Sequence, residues 1–280
     1  MYPILSKKPL APSITLMEIE APEVARKARA GQFVILRLSE NGERIPLTIA
    51  DFDRQRGTVT IIFQEVGYTT GQLAAFEPGD ALPDFVGPLG LPSEVENYGH
   101  VVCVGGGVGI APVYPIARAL KEAGNEVTAI VGARSKDLLI LEEEMRGASD
   151  RLLVATDDGS YGHKGFVTDL VKQVLDEGRP VARLWAVGPM IMMRNVAEVT
   201  RPYGVRTIVS LNPIMVDGTG MCGACRVVVG GRARFACVDG PEFDGHEVDW
   251  DLAMRRLAMY REEEQQALAF HRNGGGCACR

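Results

Sequence analysis

The sequence lacks a strong charge of either sign, a long apolar run and a recognisable leader segment. Its 280 residues carry a formal net charge of −6 with both signs mixed, whereas nucleic-acid-binding proteins usually show a basic stripe. The absence of a run of about 18 apolar residues predicts no membrane-spanning helix. The opening MYPILSKKPLAPS lacks the regions of a secretory signal. We therefore expect a cytoplasmic protein that binds neither nucleic acid nor a membrane.

Cysteine is scarce as well, but it is not scattered. The chain has six cysteines, and three of them fall within residues 222–237. In a reducing compartment, clustered cysteines more often bind metal or carry redox chemistry than form a disulfide framework. The cluster is therefore the first candidate for a functional site.

The chain divides into segments with different hydrophobic patterns, and its length also favours more than one domain. Residues 1–98 contain short strand-like runs between turn residues, which predicts a small antiparallel β-barrel. Residues 99–212 alternate apolar runs with helical periodicity, which predicts a Rossmann-like parallel α/β domain. Residues 213–250 form a small Gly- and Cys-rich domain. The last segment, residues 251–280, is expected to contain a helix and a mobile tail. The helix, WDLAMRRLAMYREEEQQALAFHR, starts one residue earlier, at residue 250.

The spacing of the clustered cysteines is typical of a metal-binding loop. Plant-type [2Fe–2S] proteins have the pattern C-x₄-C-x₂-C…C. This chain has D-x₄-C-x₂-C-x₁₁-C, formed by Asp217, Cys222, Cys225 and Cys237. A carboxylate oxygen can ligate iron. The pattern therefore predicts a [2Fe–2S] site with Asp217 as the fourth ligand.

The same cysteines are also compatible with roles that involve no iron. A structural zinc site could combine the three cysteines with His246. The cysteines could also be small core residues or a redox disulfide pair. Cys103 lies within a predicted buried strand and is expected to be plain core, while Cys277 and Cys279 in the tail are assigned no role.

A glycine-rich turn follows the first strand of the predicted α/β domain. In VVCVGGGVGIAP, four glycines stand between a strand and a helix, where backbone can approach a pyrophosphate: Gly105, Gly106, Gly107 and Gly109. The alternative is tight packing of the helix on the sheet, which would need fewer glycines. Asp157 and Asp158 follow another strand, where ligands bind in open α/β sheets, although both could also be turn and cap residues.

The choice of nucleotide is not settled by the sequence. Arg134, Ser135 and Lys136 follow the second predicted strand and could pair with the 2′-phosphate of NADP. They could equally form a solvated loop.

A barrel that leads into an α/β domain with this turn resembles the ferredoxin–NADP reductase superfamily. In that superfamily the barrel holds a flavin, and its motif is an arginine followed shortly by Tyr or Pro, an apolar residue and Ser or Thr. RIPLTI resembles this motif through Pro46, Leu47 and Thr48. Arg44 stands one place earlier than the usual arginine, whose position is taken by Ile45.

Two further segments strengthen this resemblance. GYTT, which contains Gly67, Thr69 and Thr70, is similar to a turn that contacts the flavin phosphate. VGPMIMM is similar to a motif near the nicotinamide, which implies roles for Gly188, Pro189 and Met190. The resemblance thus implies FAD and a nicotinamide nucleotide as cofactors.

The cysteine pattern narrows the resemblance to flavin–iron-sulfur electron-transfer subunits. The two similar groups are the dihydroorotate dehydrogenase electron-transfer subunits and the small subunits of NADH-dependent reduced ferredoxin:NADP oxidoreductase (Nfn type), also called sulfide dehydrogenase subunits. An aspartate at position 217 resembles the second group. The resemblance implies electron transfer between NADH, FAD and a [2Fe–2S] cluster, without a catalytic side chain. It also implies a larger flavin and [4Fe–4S] partner subunit, electron bifurcation, and an indirect link to ferredoxin.

The cofactor content tests this interpretation. We expect the purified protein to be brown-yellow, with flavin absorbance and about two irons per chain. A sample with zinc and with neither iron nor flavin would contradict the interpretation. Reduction of an artificial acceptor by NADH separates the electron-transfer hypothesis from a non-catalytic, zinc-containing regulator on the same scaffold, which should show none.

Overall fold

The computed structural model describes residues 1–272, and it begins with a seven-stranded antiparallel sheet that wraps into a nearly closed barrel. The order of the strands is β6-β1-β2-β5-β4-β3-β7. Alternate residues such as Met17 and Ile19 are fully buried in the interior, as expected for a sheet with one buried face. The elements are β1 (Tyr2–Ala11), β2 (Ile14–Glu20), α1 (Pro22–Lys27), β3 (Phe33–Arg37), β4 (Ile45–Asp53), β5 (Thr58–Gln64), α2 (Tyr68–Ala74), β6 (Ala81–Leu82) and β7 (Asp84–Leu89).

A second sheet, parallel and flanked by helices, follows the barrel. Its order begins β11-β10-β9-β8-β12-β13. Strands are added to one side of β8 up to β11 and then to its other side from β12, and this switch in strand order creates a crevice beyond the carboxyl ends of β8 and β12. The prediction of a barrel followed by a parallel α/β domain is confirmed. The elements are β8 (His100–Gly106), α3 (Ile110–Glu122), β9 (Glu126–Ala133), α4 (Glu142–Gly147), β10 (Arg151–Thr156), β11 (His163–Lys164), α5 (Val167–Asp176), β12 (Arg183–Val187), α6 (Met190–Thr200) and β13 (Arg206–Ser210).

The Gly- and Cys-rich segment is tied into this second sheet. Its hairpin, β14 (Arg226–Val229) and β15 (Arg232–Phe235), turns at Gly230 and Gly231, which both have positive φ. After the short helix α7 (Ala236–Asp239), β16 (Glu242–Asp244) pairs antiparallel with β13. The segment therefore supplies the seventh strand of the α/β sheet.

The single C-terminal helix expected from the sequence is two helices, so that prediction is wrong. The chain forms α8 (Trp250–Leu257) and α9 (Arg261–Arg272). The helix α8 packs on β14 and α6, whereas α9 lies against α2 of the barrel, and one straight helix could not follow both surfaces. Cys277 and Cys279 lie outside the described residues. None of the described helices combines the length and apolar character that crossing a membrane requires.

The segment Gly240–Glu242 joins the three parts of the molecule. The backbone N–H of Leu91, at the exit of the barrel, donates to the carbonyl of Gly240 at 2.6 Å. The N–H of Leu211, at the end of the parallel sheet, donates to the carbonyl of Pro241 at 2.9 Å. This short stretch of backbone therefore contacts all three parts. The barrel and the α/β domain also meet where α3 packs on β4 and Arg118 pairs with Asp51 at 2.6 Å.

The carboxyl group of Glu242 is the titratable group at this junction. The hydroxyl of Ser93 donates to it at 2.5 Å, and the indole N–H of Trp185 donates at 3.3 Å. Burial raises the pKa of Glu242 to about 7, although both hydrogen bonds favour the charged form. The folded protein therefore holds a proton here that the unfolded chain releases near its ordinary pKa of 4.5. The free energy of unfolding must then fall as the pH rises from about 4.5 to about 7.

Glu242→Gln should remove this pH dependence, because the amide does not titrate. We expect the variant to gain on the order of 1–3 kcal/mol in unfolding free energy relative to the wild type at pH 8, and little at pH 5. Urea unfolding at the two pH values measures the difference. Glu247→Gln, at an exposed position of the same segment, is the control and should change neither value. An equal loss of stability at both pH values for Glu242→Gln would contradict the assignment.

Candidate functional site

A cavity of about 960 Å³ lies between the barrel and the parallel sheet. One wall is formed by β4, β5 and α2 of the barrel, and the opposite wall by the carboxyl ends of β8, β9, β10 and β12. Ser210, Leu211, Met215 and Pro241 also line it. Its walls are mostly apolar, and its size is at the upper end of ordinary ligand sites, so it fits an extended ligand such as a dinucleotide.

The four glycines of the turn after β8 have different roles. A Cβ at Gly105 would lie 2.9 Å from the Cα of Ile110, and one at Gly109 would lie 2.6 Å from the Cα of Gly188. These two glycines permit close packing of α3 against β8 and the end of β12. Gly107 has φ of +56° and open space around its Cα, and Gly106 and Gly107 line the cavity. Gly107 therefore leaves the backbone open to a ligand, and Gly109 lines the cavity as well as allowing close packing. The space beside Gly106 is taken by Met192, whose sulfur lies 2.2 Å from the position of a Cβ at Gly106.

The turn after β12 meets this glycine turn at the point where the strand order reverses. Gly188 and Pro189, for which the sequence predicts cofactor binding, line the cavity. Met190 does not line it, because its side chain is buried in the core beneath α6. Met192 lines the cavity instead, and its side chain lies against both Gly106 and Gly188.

The predicted flavin motif forms part of the barrel wall. Pro46, Leu47 and Thr48 line the cavity, together with Ile45. Arg44 is not among the lining residues. Arg44 precedes the first residue of β4, and Ile45 takes its place at the start of the strand.

Arg44 lies near the cysteine loop. Its positive charge contributes to the lowering of the pKa of Asp217, after the larger effect of the hydrogen bonds from Thr219. Its Nε atom is buried and has no hydrogen-bond partner among the described residues. We therefore place Arg44 between the barrel and the loop that carries Asp217.

Of the four residues of the GYTT turn, residues 67–70, one lines the cavity. Thr70 lines the cavity, and its hydroxyl accepts hydrogen bonds from the N–H groups of Val66 and Gly67 at 3.1 and 3.0 Å. The hydroxyl of Thr69 is buried and donates to Glu43, so it is directed elsewhere. Gly67 starts α2 without lining the cavity itself.

The two predicted aspartates after β10 also differ. Asp157 lines the cavity. Asp158 closes a local turn, because its Oδ1 accepts from the N–H and the hydroxyl of Ser160 at 2.9 and 2.6 Å. These hydrogen bonds lower the pKa of Asp158. Of the residues after β9, Arg134 lines the cavity, while the ammonium of Lys136 lies 5.2 Å from the centroid of the Tyr161 ring.

The cysteine loop brings two thiols together. The Sγ atoms of Cys225 and Cys237 are 3.2 Å apart, and both residues are buried. Burial, followed by the neighbouring Cys225, raises the pKa of Cys237 to about 12. Cys222 is exposed, and its charge also acts on Cys237. Within residues 1–272, however, no three His, Cys, Asp or Glu side chains already converge as a metal site.

Asp217 is held by its own loop. Its Oδ2 accepts from the N–H and hydroxyl of Thr219 at 2.9 and 2.5 Å and from the N–H of Met221 at 3.3 Å. The loop can form because Gly218 and Gly220 both have positive φ. A Cβ at Gly218 would lie 2.8 Å from Leu89 and 2.9 Å from Ile35 of the barrel, so the loop packs closely on β3 and β7.

The donor set fits an iron–sulfur cluster better than a zinc ion. Three thiols and a carboxylate belong to one glycine-rich loop and hairpin, and the backbone of Gly220 acts to lower the pKa of Cys237, in line with the hydrogen bonds that tune cluster sulfurs. His246, the fourth ligand of the zinc alternative, is bonded elsewhere, with its Nε2 2.9 Å from the hydroxyl of Thr200. The predicted zinc arrangement is therefore not formed. Cys103 is a fully buried core residue of β8, as predicted.

Several cavity residues were not found from the sequence. Met192 stands two places beyond the predicted Met190, and Phe166, 62% exposed, lines the cavity at the start of α5. Because α6 starts directly after Pro189, counting the positions of its first turn could have indicated Met192 as a second candidate beside Met190. Nothing local indicates Met215 or Pro241, because only the return of β16 to the parallel sheet brings that segment to the cavity.

Two protein-family models match parts of the chain. The iron-sulfur cluster binding domain of dihydroorotate dehydrogenase B matches residues 212–249. An oxidoreductase NAD-binding domain matches residues 103–198. The matched ranges include the cysteine loop and the glycine-rich turn.

Two curated relatives cover most of the chain. A Thermotoga maritima protein described as a homolog of the electron transfer subunit of dihydroorotate dehydrogenase B (NAD(+)) is 56% identical, over 94% of this chain and 92% of its own length. The electron transfer subunit of dihydroorotate dehydrogenase B (NAD(+)) from Desulforamulus reducens is 33% identical, over 89% of this chain and 97% of its own length.

Solved structures extend the comparison to the fold. A chain from the structure of NADH-dependent reduced ferredoxin-NADP oxidoreductase, studied for flavin-based electron bifurcation, is 52% identical. It superposes with a TM-score of 0.92, over 96% of this chain and 97% of that one. Phthalate dioxygenase reductase is 18% identical with a TM-score of 0.59, over 81% of this chain and 85% of that one, and shares the fold.

Proposed function

The chain belongs to the family of the electron-transfer subunits of dihydroorotate dehydrogenase B and their homologues, and from this premise we propose that it transfers electrons between NAD(H), FAD and a [2Fe–2S] cluster. We propose further that it does so as the small subunit of an electron-bifurcating, NADH-dependent reduced ferredoxin:NADP oxidoreductase. The similarity to a chain of that enzyme over nearly the whole length supports the second step.

One observation carries the proposal. A single cavity is bounded by the barrel wall on one side and by the glycine turn of the parallel sheet on the other, and Met215 of the cysteine segment lines it as well. Met215 also packs in one cluster with Cys225 and Cys237. This geometry supports a flavin site and a nucleotide site in one space, with the cysteine loop directly behind it.

The residues of the barrel wall would bind and shield the flavin. Pro46 and Leu47 offer apolar contact and exclude water, and Thr48 offers a hydroxyl. Across the cavity, Gly107 lets the backbone approach a pyrophosphate at the start of α3. FAD, when bound, can accept two electrons together and release them singly, which links hydride chemistry to one-electron chemistry.

The cysteine loop would hold the cluster through Asp217, Cys222, Cys225 and Cys237. The cluster, when bound, supplies one-electron transfer. The loop is anchored on β3 and β7 by the close approach of Gly218, so its ligands stay next to the barrel. Arg44 adds a positive charge near Asp217, which supports a site with four anionic ligands.

The surface around Cys222 supports a larger partner subunit. Met221, next to Cys222 in the chain, is 88% exposed, and Val216 and Val238 of the same segment are 47% and 40% exposed. Such clusters mark protein–protein contacts. We propose that the larger subunit covers this surface, carries a second flavin and [4Fe–4S] clusters, and connects the chain indirectly to ferredoxin.

A second candidate is the electron-transfer subunit of dihydroorotate dehydrogenase itself. The matched family model of residues 212–249 is that of this enzyme. Against it stands Asp217, where the resembled dihydroorotate dehydrogenase subunits carry a cysteine.

Asp217→Cys tests the ligand assignment. We expect the variant to retain a cluster, with an altered EPR spectrum and a midpoint potential changed by about 60 mV or more, which is a tenfold change for one electron. The physical reason is that a thiolate donates more charge to iron than a carboxylate does. Cys103→Ala, in the core of β8, is the control and should keep the native spectrum. An unchanged spectrum and potential in Asp217→Cys would remove Asp217 from the ligand set.

Purification of the tagged chain from its native host tests the partner. We expect a larger subunit with its own flavin and [4Fe–4S] clusters to co-purify in a fixed ratio. Met221→Glu should reduce the recovered partner at least tenfold, because it introduces a charge into the apolar surface, while the iron content stays the same. Recovery of a dihydroorotate dehydrogenase catalytic subunit instead would establish the second candidate.

A further inference from the structure

The helix α8 contacts the loop that carries Cys222 and Cys225. It packs on β14, the strand that begins directly after Cys225. In the last turn of α8, the Nη2 of Arg256 donates to the carbonyl of Ala224 at 3.1 Å. Ala224 stands between the two cysteines, so the guanidinium of Arg256 is bonded to the loop that would hold two of the four cluster ligands.

The guanidinium of Arg256 is only partly satisfied by this contact. Its Nε is buried and has no hydrogen-bond partner among the described residues, and the side chain forms no ion pair with a described carboxylate. It lines a small cavity of about 60 Å³ together with Ala224 of the loop and with Met259 and Tyr260, which follow α8. A partly buried cation without an anion is unfavourable, so this charge needs a counter-charge that the described residues do not provide.

A second arginine with the same feature comes from the barrel. The Nε of Arg44 is buried without a partner among the described residues, and the only other such side-chain atom in that part of the chain is the Nδ1 of His100. The hydrogen bonds from Thr219 and, to a smaller extent, the charge of Arg44 lower the pKa of Asp217. Two of the three unpaired atoms therefore belong to arginines beside the cysteine loop. An anionic group bound at this loop would supply the counter-charge for both.

The hydrogen bond from Arg256 also fixes the direction of a peptide group in the loop. The carbonyl of Ala224 and the N–H of Cys225 belong to one planar trans peptide, so they point in opposite directions. Because the carbonyl points to Arg256, the N–H of Cys225 points away from this guanidinium. This N–H has no acceptor among the described residues. It is therefore free to donate to a sulfur of the cluster, and such hydrogen bonds help to set a cluster's potential.

We propose that Arg256 is a positioning residue of the iron–sulfur centre, which orients the loop between Cys222 and Cys225 and raises the midpoint potential of the bound cluster. The inference rests on the proposed function, because it presupposes that this loop binds a [2Fe–2S] cluster. Reduction adds one electron, and thus one negative charge, to a centre whose ligands are anionic. A positive charge nearby stabilises the reduced form more than the oxidised form, and it acts more strongly where water is excluded.

This contact lies outside the part of the chain that the iron-sulfur family model matches. The match ends at residue 249, and α8 begins at Trp250. The bond to Ala224 is therefore made by a segment that follows the matched cluster domain.

Redox titration of the purified full-length protein, followed by EPR, tests the proposal. Arg256→Gln removes the charge, so the midpoint potential should fall by about 60 mV or more, which is a tenfold change for one electron. Arg256→Lys keeps the charge and should restore most of this shift. Arg255→Gln is the matched control, because Arg255 is an exposed neighbour on α8 without a hydrogen bond or ion pair to a described residue. Its potential should stay within about 20 mV of the wild type, roughly a twofold change.

Two results would overturn the proposal. One is a shift in Arg256→Gln no larger than that of the control, and the other is an equal shift in Arg256→Lys, which would assign the effect to packing rather than to charge. If Arg256→Gln loses its iron, Arg256→Lys decides: a native potential supports the proposal, whereas a shifted potential or a loss of iron refutes it. After either failure, a wild type with flavin, iron and a cluster EPR signal leaves the proposed function standing. A wild type without a cluster would contradict the proposed function, and this inference with it.

Discussion

The candidate site depends on the way the segment Gly240–Glu242 holds three parts of the chain together. The carbonyls of Gly240 and Pro241 accept hydrogen bonds from the barrel exit and from the end of the parallel sheet, and Glu242 begins the strand that completes this sheet. The cavity lies between these parts, so the junction helps to hold its walls in position. The junction also buries the carboxyl group of Glu242, and this burial raises the pKa of Glu242 to about 7 because an ionised carboxylate is costly in such surroundings.

Close approach of backbone is the second constraint, and it explains most of the glycines near the site. Gly105 and Gly109 allow α3 to pack on β8 and on the end of β12, and Gly218 allows the cysteine loop to pack on the barrel. These contacts bring the proposed flavin wall, the phosphate-binding turn and the cysteines within one small region. Electron transfer requires such proximity, whereas it requires few reactive side chains.

The charged side chains that line the cavity are separate from the charged side chain near the cysteine loop. The barrel wall and the glycine turn are apolar or use backbone groups, while Arg134 and Asp157 are the charged side chains that line the cavity among the described residues. The charge of Arg44 is directed toward Asp217 and the cysteine loop.

The sequence by itself determined the antiparallel barrel, the parallel α/β domain and the cysteine loop, because hydrophobic periodicity and ligand spacing are local properties. It also indicated the wall formed by Pro46, Leu47 and Thr48. The tertiary structure alone decided where individual side chains point: Thr69 toward Glu43, Met190 into the core, and His246 toward Thr200. It also decided that the helix beginning at Trp250 ends at Leu257, and that β16 returns to the parallel sheet. The physical reason is that these outcomes depend on register and on packing between residues distant in the chain, which a local pattern does not contain.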